Sequence, residues 1–411
     1  MDVRFPNIRH LRVFLEVARS HSISMAASRA HLSQPAVTQA VSNLEHQLGI
    51  QLFQRKNVGF HTTEIGALFM LRVSRALELL KTGARSCLAH SKSEKSAGFS
   101  NFDELITAAQ LRAIVAVSEA QNFSIAAANL GLSQPSVHRS ARNLESLSGV
   151  RFFERSSSGI TPTIAAQAFI RFTKLAYAEI TQGLDEISVL NGMDTTTITV
   201  GSLPLARTHI LPLAVNEMIQ STNGVQVNVI DGPYATHLQR LRSGDIDCII
   251  GALREPIPAE DIVQERLFSD PLAIVAAHNH PLVGKAALTL EDALAYPWVA
   301  PPKNTPAGRY LFEKLQIQER KKTPVRAVSS SLVFLRGLLA QGEYLTIISR
   351  HQISEEVRQG LLVPLPIALN NSERPIGITF RKDWRPTETQ SKFVDLLRKY
   401  GAYPPRTEKE K

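Results

Sequence analysis

The chain has 411 residues, with 46 Lys and Arg against 37 Asp and Glu and a formal net charge of +9. That length calls for two or three domains, and a composition of 44% hydrophobic and 20% charged residues excludes wholesale disorder. Two cysteines exclude a disulfide framework, no apolar run approaches the ~20 residues of a membrane span, and Met1-Asp2-Val3-Arg4 has no signal-peptide core. The sequence therefore reads as a soluble cytoplasmic protein, and its positive excess points towards a polyanionic partner.

Compared with itself, the chain contains one segment twice. Leu11-Arg12 returns as Leu111-Arg112, Leu32-Ser33-Gln34-Pro35 as Leu132-Ser133-Gln134-Pro135, Asn43-Leu44-Glu45 as Asn143-Leu144-Glu145, and Phe53-x-Arg55 as Phe153-x-Arg155. The offset is 100 throughout, and residues 11–66 align without a gap, with 19 identities of mixed residue types. In the first copy Leu11, Phe14, Leu15 and Ala18 have helical spacing, and Ser22 or Ser24 is placed to cap a second helix running through Leu32. Ser33 is placed to cap a third helix, with Pro35 in its first turn and Gly49 at its end. Two helices joined by a short turn around small Ala26-Ala27 form a helix-turn-helix, and 53–59 reads as a short hairpin wing turned at Gly59. The second copy repeats the scheme, with a helix from Ser124 to Leu132, a Ser133 cap, Pro135, Gly149 and a wing through Gly159.

Both copies resemble the winged helix-turn-helix of LysR-type transcriptional regulators. The first does so through Ala26-Ala27, Ser33-Gln34-Pro35-Ala36-Val37, Leu44-Glu45, Leu48-Gly49, Leu52-Phe53-x-Arg55 and Thr62-Thr63-x-x-Gly66; the second through Ala126-Ala127, Ser133-Gln134-Pro135-Ser136-Val137, Leu144-Glu145, Gly149, Phe152-Phe153-x-Arg155 and Thr161-Pro162-Thr163. Family members usually carry one such domain, so the duplication is a departure. A recognition helix presents its first two turns to base edges in the major groove. Those turns carry Ser33, Gln34, Pro35, Thr38 and Gln39 in the first copy, and Ser133, Gln134, Pro135, His138 and Arg139, with Arg142 a turn later, in the second. Gln pairs bidentately with adenine and Arg with guanine, so the two helices are expected to prefer different sequences. Arg55, Lys56 and Arg155 at the wings suit phosphate contacts, although the family-type Arg also suits a structural salt bridge. Residues 1–100 carry a net charge of +7, 101–192 a net −1 and 193–411 a net +3, so the first copy is expected to supply most of the attraction for DNA.

After each wing comes an amphipathic stripe: Ile65, Phe69, Val73, Leu77 and Leu80, then Phe169, Phe172, Ala176, Ile180, Leu184 and Ile187. The second is long enough for an antiparallel or coiled contact with a second chain, as the resemblance also implies. The expected organisation is a first winged domain at 1–90, a linker at 91–103, a second winged domain with a dimerisation helix at 104–192, and an effector-binding domain at 195–411.

From Thr196 the period changes. Strands at 197–201, 225–229, 246–250, 272–277, 298–300, 344–348 and 376–380 alternate with helices at 211–219, 235–242, 331–340 and 389–399, which predicts a mostly parallel α/β sheet. Gly201-Ser202-Leu203-Pro204, Leu211-Pro212, Gly244-Asp245-Ile246-Asp247 and His280-Pro281-Leu282 resemble the family's effector-binding domain. The resemblance implies a multidomain chain: two all-α winged helix-turn-helix domains followed by an α/β two-lobed periplasmic-binding-protein-like domain. Lobe one is expected at 195–270 and 350–411, and lobe two at 271–349.

Ligands in such folds sit at C-terminal strand ends and helix starts, which selects Ser202, Leu203, Tyr234 and Ser330, and Thr305 joins them because its loop, 301–306, resembles another cleft edge of the family. For each alone, a plain helix cap is an equal reading. Two departures from the family pattern, Pro233 where a hydroxyl is usual and Gly342-Glu343-Tyr344 in place of Gly-x-Gly, keep the effector from being carried over. Metal-binding, Walker A, GxSxG and GxGxxG motifs are absent, and Ser202, His209 and Asp231 make only an accidental triad, so no catalytic residue, metal or cofactor is assigned. The expected function is an effector-controlled, sequence-specific regulator. Its expected partners are double-stranded DNA, a small and plausibly anionic effector, a second copy of the chain in a homodimer or homotetramer, and RNA polymerase as a further candidate. The alternative is a ligand-binding module whose helix-turn-helix domains serve assembly or nonspecific nucleoid binding.

Overall fold

The computed structural model describes residues 5–55, 59–91, 98–157, 159–318 and 324–402. They form two compact units, 1–196 with 243–245, and 197–242 with 246–411.

The first unit holds α1 (Ile8–Ser20), α2 (Ile23–Arg29), α3 (Gln34–Leu48), β1 (Phe53–Arg55), β2 (Phe60–Thr62) and α4 (Glu64–His90), then the same series as α5 (Ala108–Ala120), α6 (Phe123–Leu130), α7 (Gln134–Ser148), β3 (Phe153–Ser156), β4 (Gly159–Pro162) and α8 (Ile164–Leu190). The Ser33 hydroxyl accepts from Ala36 N at 3.3 Å and that of Ser133 from Ser136 N at 3.4 Å. Gly49 and Gly149 end the two helices at φ 68° and 67°. Ser22 caps α2; α6, expected from Ser124 to Leu132, runs Phe123–Leu130 and is capped by Asn122, its Oδ1 accepting from Ser124 N at 2.8 Å. Asn caps as well as Ser. The repeat extends to left-handed non-glycine residues: His21 and Gln121, at φ 52° and 51°, accept the first wing N–H of Phe60 and Ile160, each at 3.0 Å.

The two copies share one core, in which Phe14, Phe69, Phe102, Phe152 and Phe169 are fully buried. Phe102 packs on Phe169 with ring centroids 5.2 Å apart, and Phe99 N donates to Leu147 O. Residues 98–103 are therefore part of the folded unit, not of a linker; residues 92–97 lie outside the described residues. The apolar stripe of α8, expected to meet a second chain, packs on α4 of the same chain. A Cβ on Gly83 would lie 2.7 Å from Phe172 Cβ, and one on Gly183 would lie 3.0 Å from the Phe69 ring and 3.1 Å from Arg72 Cβ. The helices thus run antiparallel about a pseudo-twofold axis, each glycine meeting equivalent positions of the other helix. Arg72 is buried in this seam. Its Nη1 donates to Glu179 and Gln182, both at 3.1 Å, and its Nε to Glu186 at 3.1 Å, while Arg75 donates to Glu179 at 2.7 Å.

The second unit contains, in order, β5 (Thr197–Ser202), α9 (Ile210–Ser221), β6 (Gln226–Asp231), α10 (Tyr234–Ser243), β7 (Cys248–Ala252), β8 (Ile262–Asp270), β9 (Leu272–Ala277), α11 (Leu290–Leu294), β10 (Trp298–Ala300), α12 (Pro306–Arg309), β11 (Val325–Val328), α13 (Leu332–Leu339), β12 (Leu345–Ser349), α14 (Ser354–Arg358), β13 (Leu362–Pro364), β14 (Arg374–Arg381) and α15 (Glu388–Ala402). Its two five-stranded sheets have the orders β6-β5-β7-β14-β8 and β11-β10-β12-β9-β13. The expectation of a mostly parallel sheet is corrected to mixed. β5 pairs in parallel with β6 and β7, and β10 with β11 and β12, whereas β14 and β9 pair antiparallel with both neighbours. The antiparallel strands lie at the two crossings between sheets, where the chain enters from the opposite direction. β13 pairs with β9, and Leu365 and Ile367 join the second lobe's core, so the segment 350–369, expected in lobe one, belongs largely to lobe two.

Both crossings meet at Asp270. Its buried carboxylate accepts from Ser349 Oγ at 2.7 Å and from His351 Nδ1 at 2.6 Å, and it pairs with Arg374. Burial pushes this carboxyl up, but the His351 bond and the Arg374 charge outweigh burial and hold it below the ordinary Asp range.

The seam and the crossing each lead to a stability test. Ala for Gly gains ~1 kcal/mol of helix propensity, but at Gly83 the added Cβ overpacks the seam at a cost of about 1–3 kcal/mol. Gly83→Ala should therefore lower the thermal midpoint, whereas Gly337→Ala in α13, with nothing within 4 Å, should raise it; a rise in both would refute the seam. Because the Asp270 pKa is lower folded than unfolded, its contribution is complete above the ordinary value of 3.8 and lost as pH falls through the folded pKa. Acid unfolding of the wild type should accordingly be steeper below pH ~4 than that of Asp270→Asn, which starts from lower stability at pH 7.

Candidate functional site

On α3 and α7 the buried positions are Val37, Ala40, Val41 and Leu44, and Val137, Ala141, Leu144 and Ser148, and each helix is anchored by that face. Ser33, Gln34, Pro35, Thr38 and Gln39, and Ser133, Gln134, Pro135, His138, Arg139 and Arg142, are all exposed. Several are not free agents. Ser33 and Ser133 spend their hydroxyls on the caps, Thr38 Oγ1 donates to Gln34 O at 3.1 Å, and Gln39 Nε2 donates to Asn43 at 2.8 Å. His138 stands edge-on to Phe123 at 5.0 Å, which fixes its ring. Arg142 donates to Glu145 at 2.9 Å; an exposed pair of this kind is worth little, about 0–1 kcal/mol, so the guanidinium can exchange onto phosphate. Gln134, Pro135, His138, Arg139 and Arg142 together line one shallow depression on the outer face of α7.

The wings are held by a device that sequence reading treated only as part of a family signature. Glu45 Oε1 accepts from Leu52 N at 2.7 Å and Phe53 N at 3.1 Å, and Glu145 Oε1 accepts from Phe152 N at 2.8 Å. An acid at the same distance before the wing in both copies was the available signal. Arg155 is exposed on β3, and Arg55 lies on β1 opposite Phe60. The side chain of Arg55 and all of Lys56 lie outside the described residues.

In the second unit, β6, β5 and β7 are parallel neighbours and end together at Asp231, Ser202 and Ala252. The turn after β5 (Pro204–Arg207) touches the turn after β12 (His351–Ile353), so one C-terminal strand end of each sheet lies at the contact between the lobes. Ser202 is buried, and its hydroxyl donates to Asp231 Oδ1 at 2.6 Å. Leu203 is buried too, and its N–H is used by Ile250 O. The Tyr234 hydroxyl is buried without a partner among the described residues, and burial pushes it up. Thr305 is committed to the cap of α12, accepting from Gly308 N at 3.0 Å and donating to Pro302 O at 2.7 Å. Ser330 is exposed, and the cap of α13 is its neighbour Ser331. Ser202 is thus tied to Ile230 and Asp231, Tyr234 packs in the apolar cluster of Leu203, and Thr305 has a structural role.

Sequence reading missed Arg254. Its guanidinium lies 4.2 Å from the centre of the Tyr234 ring, just past the C-terminal end of β7, where the rule that selected Ser202 also applies. Burial pushes it down; Tyr234 opposes this, and the positive charges of Arg309 and Arg374 push it further down. A guanidinium over a tyrosine ring whose hydroxyl is buried can pair with an anion. His237, also missed, is buried behind Ser202 with Nε2 3.3 Å from Ser202 O, and burial lowers its pKa, favouring the neutral form. Among the described residues no group of three or more His, Cys, Asp or Glu could hold a metal ion, and no helix is long and apolar enough to cross a membrane.

The family model for "Bacterial regulatory helix-turn-helix protein, lysR family" matches residues 8–67 and again 108–167, and that for "LysR substrate binding domain" matches 191–402. The HTH-type transcriptional regulator GalR of Pseudomonas putida is 32% identical over 382 residues, covering 93% of this chain and 94% of the relative. An alignment of that length has to run through both repeats. The regulator PcaQ of Agrobacterium fabrum is 27% identical over 296 residues, 72% of this chain and 95% of its own length. Among solved structures, a full-length OxyR point variant from Pseudomonas aeruginosa has a TM-score of 0.55 at 20% identity, covering 74% of this chain and 98% of that one. Full-length CbnR complexed with its target DNA has a TM-score of 0.50 at 21% identity, covering 71% and 98%. Matched over its helix-turn-helix segments and its C-terminal half alike, the chain belongs to the LysR family of DNA-binding transcriptional regulators that carry an effector-binding domain.

Proposed function

We propose that this regulator reads DNA with both copies, α3 and α7 each entering a major groove, under the control of a small anion bound between the lobes of a periplasmic-binding-protein-like domain. The observation that carries the DNA reading is that both helices are capped and anchored by buried faces while turning Gln34, Pro35, Thr38 and Gln39, or Gln134, Pro135, His138 and Arg139, outward. Wing residues Arg55, Lys56 and Arg155 add phosphate contacts, and the first copy, net +7 over 1–100, supplies most of the nonspecific attraction. The chain acts in the cytoplasm as a homodimer or homotetramer, without catalysis, and signals to RNA polymerase.

Ser202, Tyr234 and Arg254 are the proposed effector contacts, with Leu203 as an apolar wall. Ser330 is a candidate from the other lobe. The buried Tyr234 hydroxyl, without a partner among the described residues, and the Arg254 guanidinium over its ring support a ligand with an anionic group and a hydrogen-bonding edge.

Gln34→Ala should cost about 1–3 kcal/mol on a cognate duplex and less on random DNA, whereas Arg139→Ala should relax base preference with little change in salt slope. Gel-shift titrations over a salt series measure both, and equal losses on cognate and random DNA would refute base reading by Gln34. In calorimetric titration of the full chain with a panel of small mono- and dicarboxylates, Arg254→Leu should weaken binding at least about tenfold. Unchanged affinity would remove Arg254 from the site.

A further inference from the structure

We propose that the ion pairs between α4 and α8 code for pairing of unlike copies, so that each chain presents one head of each kind and reads an operator of two dissimilar half-sites. This rests on the DNA-binding reading above and adds the architecture of the site that is read. The offset of 100 makes the argument possible. Around the pseudo-twofold axis, position 72 of one helix is equivalent to 172 of the other, 79 to 179, 82 to 182 and 86 to 186. The glycine contacts obey this symmetry, Gly83 meeting Phe172 and Phe169, and Gly183 meeting Phe69 and Arg72. The charges do not. Arg72 and Arg75 lie only on α4, and the groups that bind them, Glu179, Gln182 and Glu186, only on α8. Where α8 has these acceptors, α4 has Leu79, Thr82 and Ser86; where α4 has Arg72, α8 has Phe172.

Exchange of partners shows what this asymmetry does. Two first copies, paired in the same register, would each set a buried Arg72 against Leu79, Thr82 and Ser86. Two second copies would each set Glu179 and Glu186 against Phe172. Either arrangement buries charge without a counter-charge, because the side chains of Arg72 and Glu179 are only 6% and 8% exposed. Only the unlike pair satisfies both helices, and the chain supplies it internally. The reading faces differ accordingly, Thr38-Gln39 in one head and His138-Arg139 in the other, and a packed helix pair holds them at one spacing.

Selection of binding sites from random duplexes with the full chain, followed by footprinting, tests the proposal. The expected result is a site of two unlike half-sites at a single spacing, in which Gln39→Ala relaxes preference in one half only and Arg139→Ala in the other only. A palindrome whose two halves both respond to each substitution would overturn the proposal and leave the regulator reading standing. Failure to enrich any sequence would remove that reading, and this proposal with it. The charge code has its own test on the selected duplex. Arg72→Glu with Arg75→Glu should weaken binding more than about tenfold, and adding Glu179→Arg with Glu186→Arg should restore it to within about threefold. If the fourfold variant keeps its helix content by circular dichroism but not its affinity, the charges do not direct pairing. A leucine variant (R72L, E179L, E186L) guards against misfolding. It should stay helical, and its discrimination between the unlike duplex and a palindrome of the first half-site should fall; undiminished discrimination would overturn the charge code.

Discussion

Arg72, buried between Glu179, Gln182 and Glu186, admits one register of α4 against α8, and the rest of the first unit depends on that register. A guanidinium out of water is tolerable only when its donors are met, and here carboxylates and an amide on the opposite helix meet them. The same seam needs glycine at 83 and 183, because a side chain at either would enter the space of Phe172 or Phe69. Small residues bring the helices close, and the charges choose which helices come close. Once the seam is set, each winged domain hangs from its end of the pair through a continuous core, and α3 and α7 inherit their separation from it.

Within each copy a chain of short-range bonds carries that position outward. The N-cap Thr63 or Thr163 starts the long helix, the Glu45 or Glu145 carboxylate ties the wing to the recognition helix, and Ser33 or Ser133 sets where that helix begins. The residues that differ between the two reading faces, Thr38-Gln39 against His138-Arg139, are exposed and lie off the buried faces that anchor the helices. Their differences between copies therefore cost the fold nothing, which is the condition under which two duplicated heads can diverge in what they recognise.

The second unit solves another problem, joining two sheets through two chain crossings. Asp270 sits at the crossing and gathers Ser349, His351 and Arg374, coupling the end of one sheet to the start of the return strand.

By itself the sequence determined what is local. Caps, the prolines at 35 and 135, the glycine stops and the period of apolar residues are read within a few positions, and the fixed offset of 100 exposes the duplication outright. Strand ends are local as well, which is why Ser202 and Tyr234 could be placed at the ends of β5 and β6, and Arg254 was not singled out only because the rule was not applied to β7. What the tertiary structure alone decided is partnership. An amphipathic stripe records that a helix needs a neighbour but not whose, so α8 read as a contact for a second chain until Arg72 and its carboxylates placed it against α4. The polar edge strand β8 and the return strand β13 were invisible for the same reason, since their pairing energy comes from strands remote in sequence. Buried charge behaves likewise: Arg72, Glu179 and Asp270 look like surface residues in a sequence, and only the distance to their counter-charges shows that they are not.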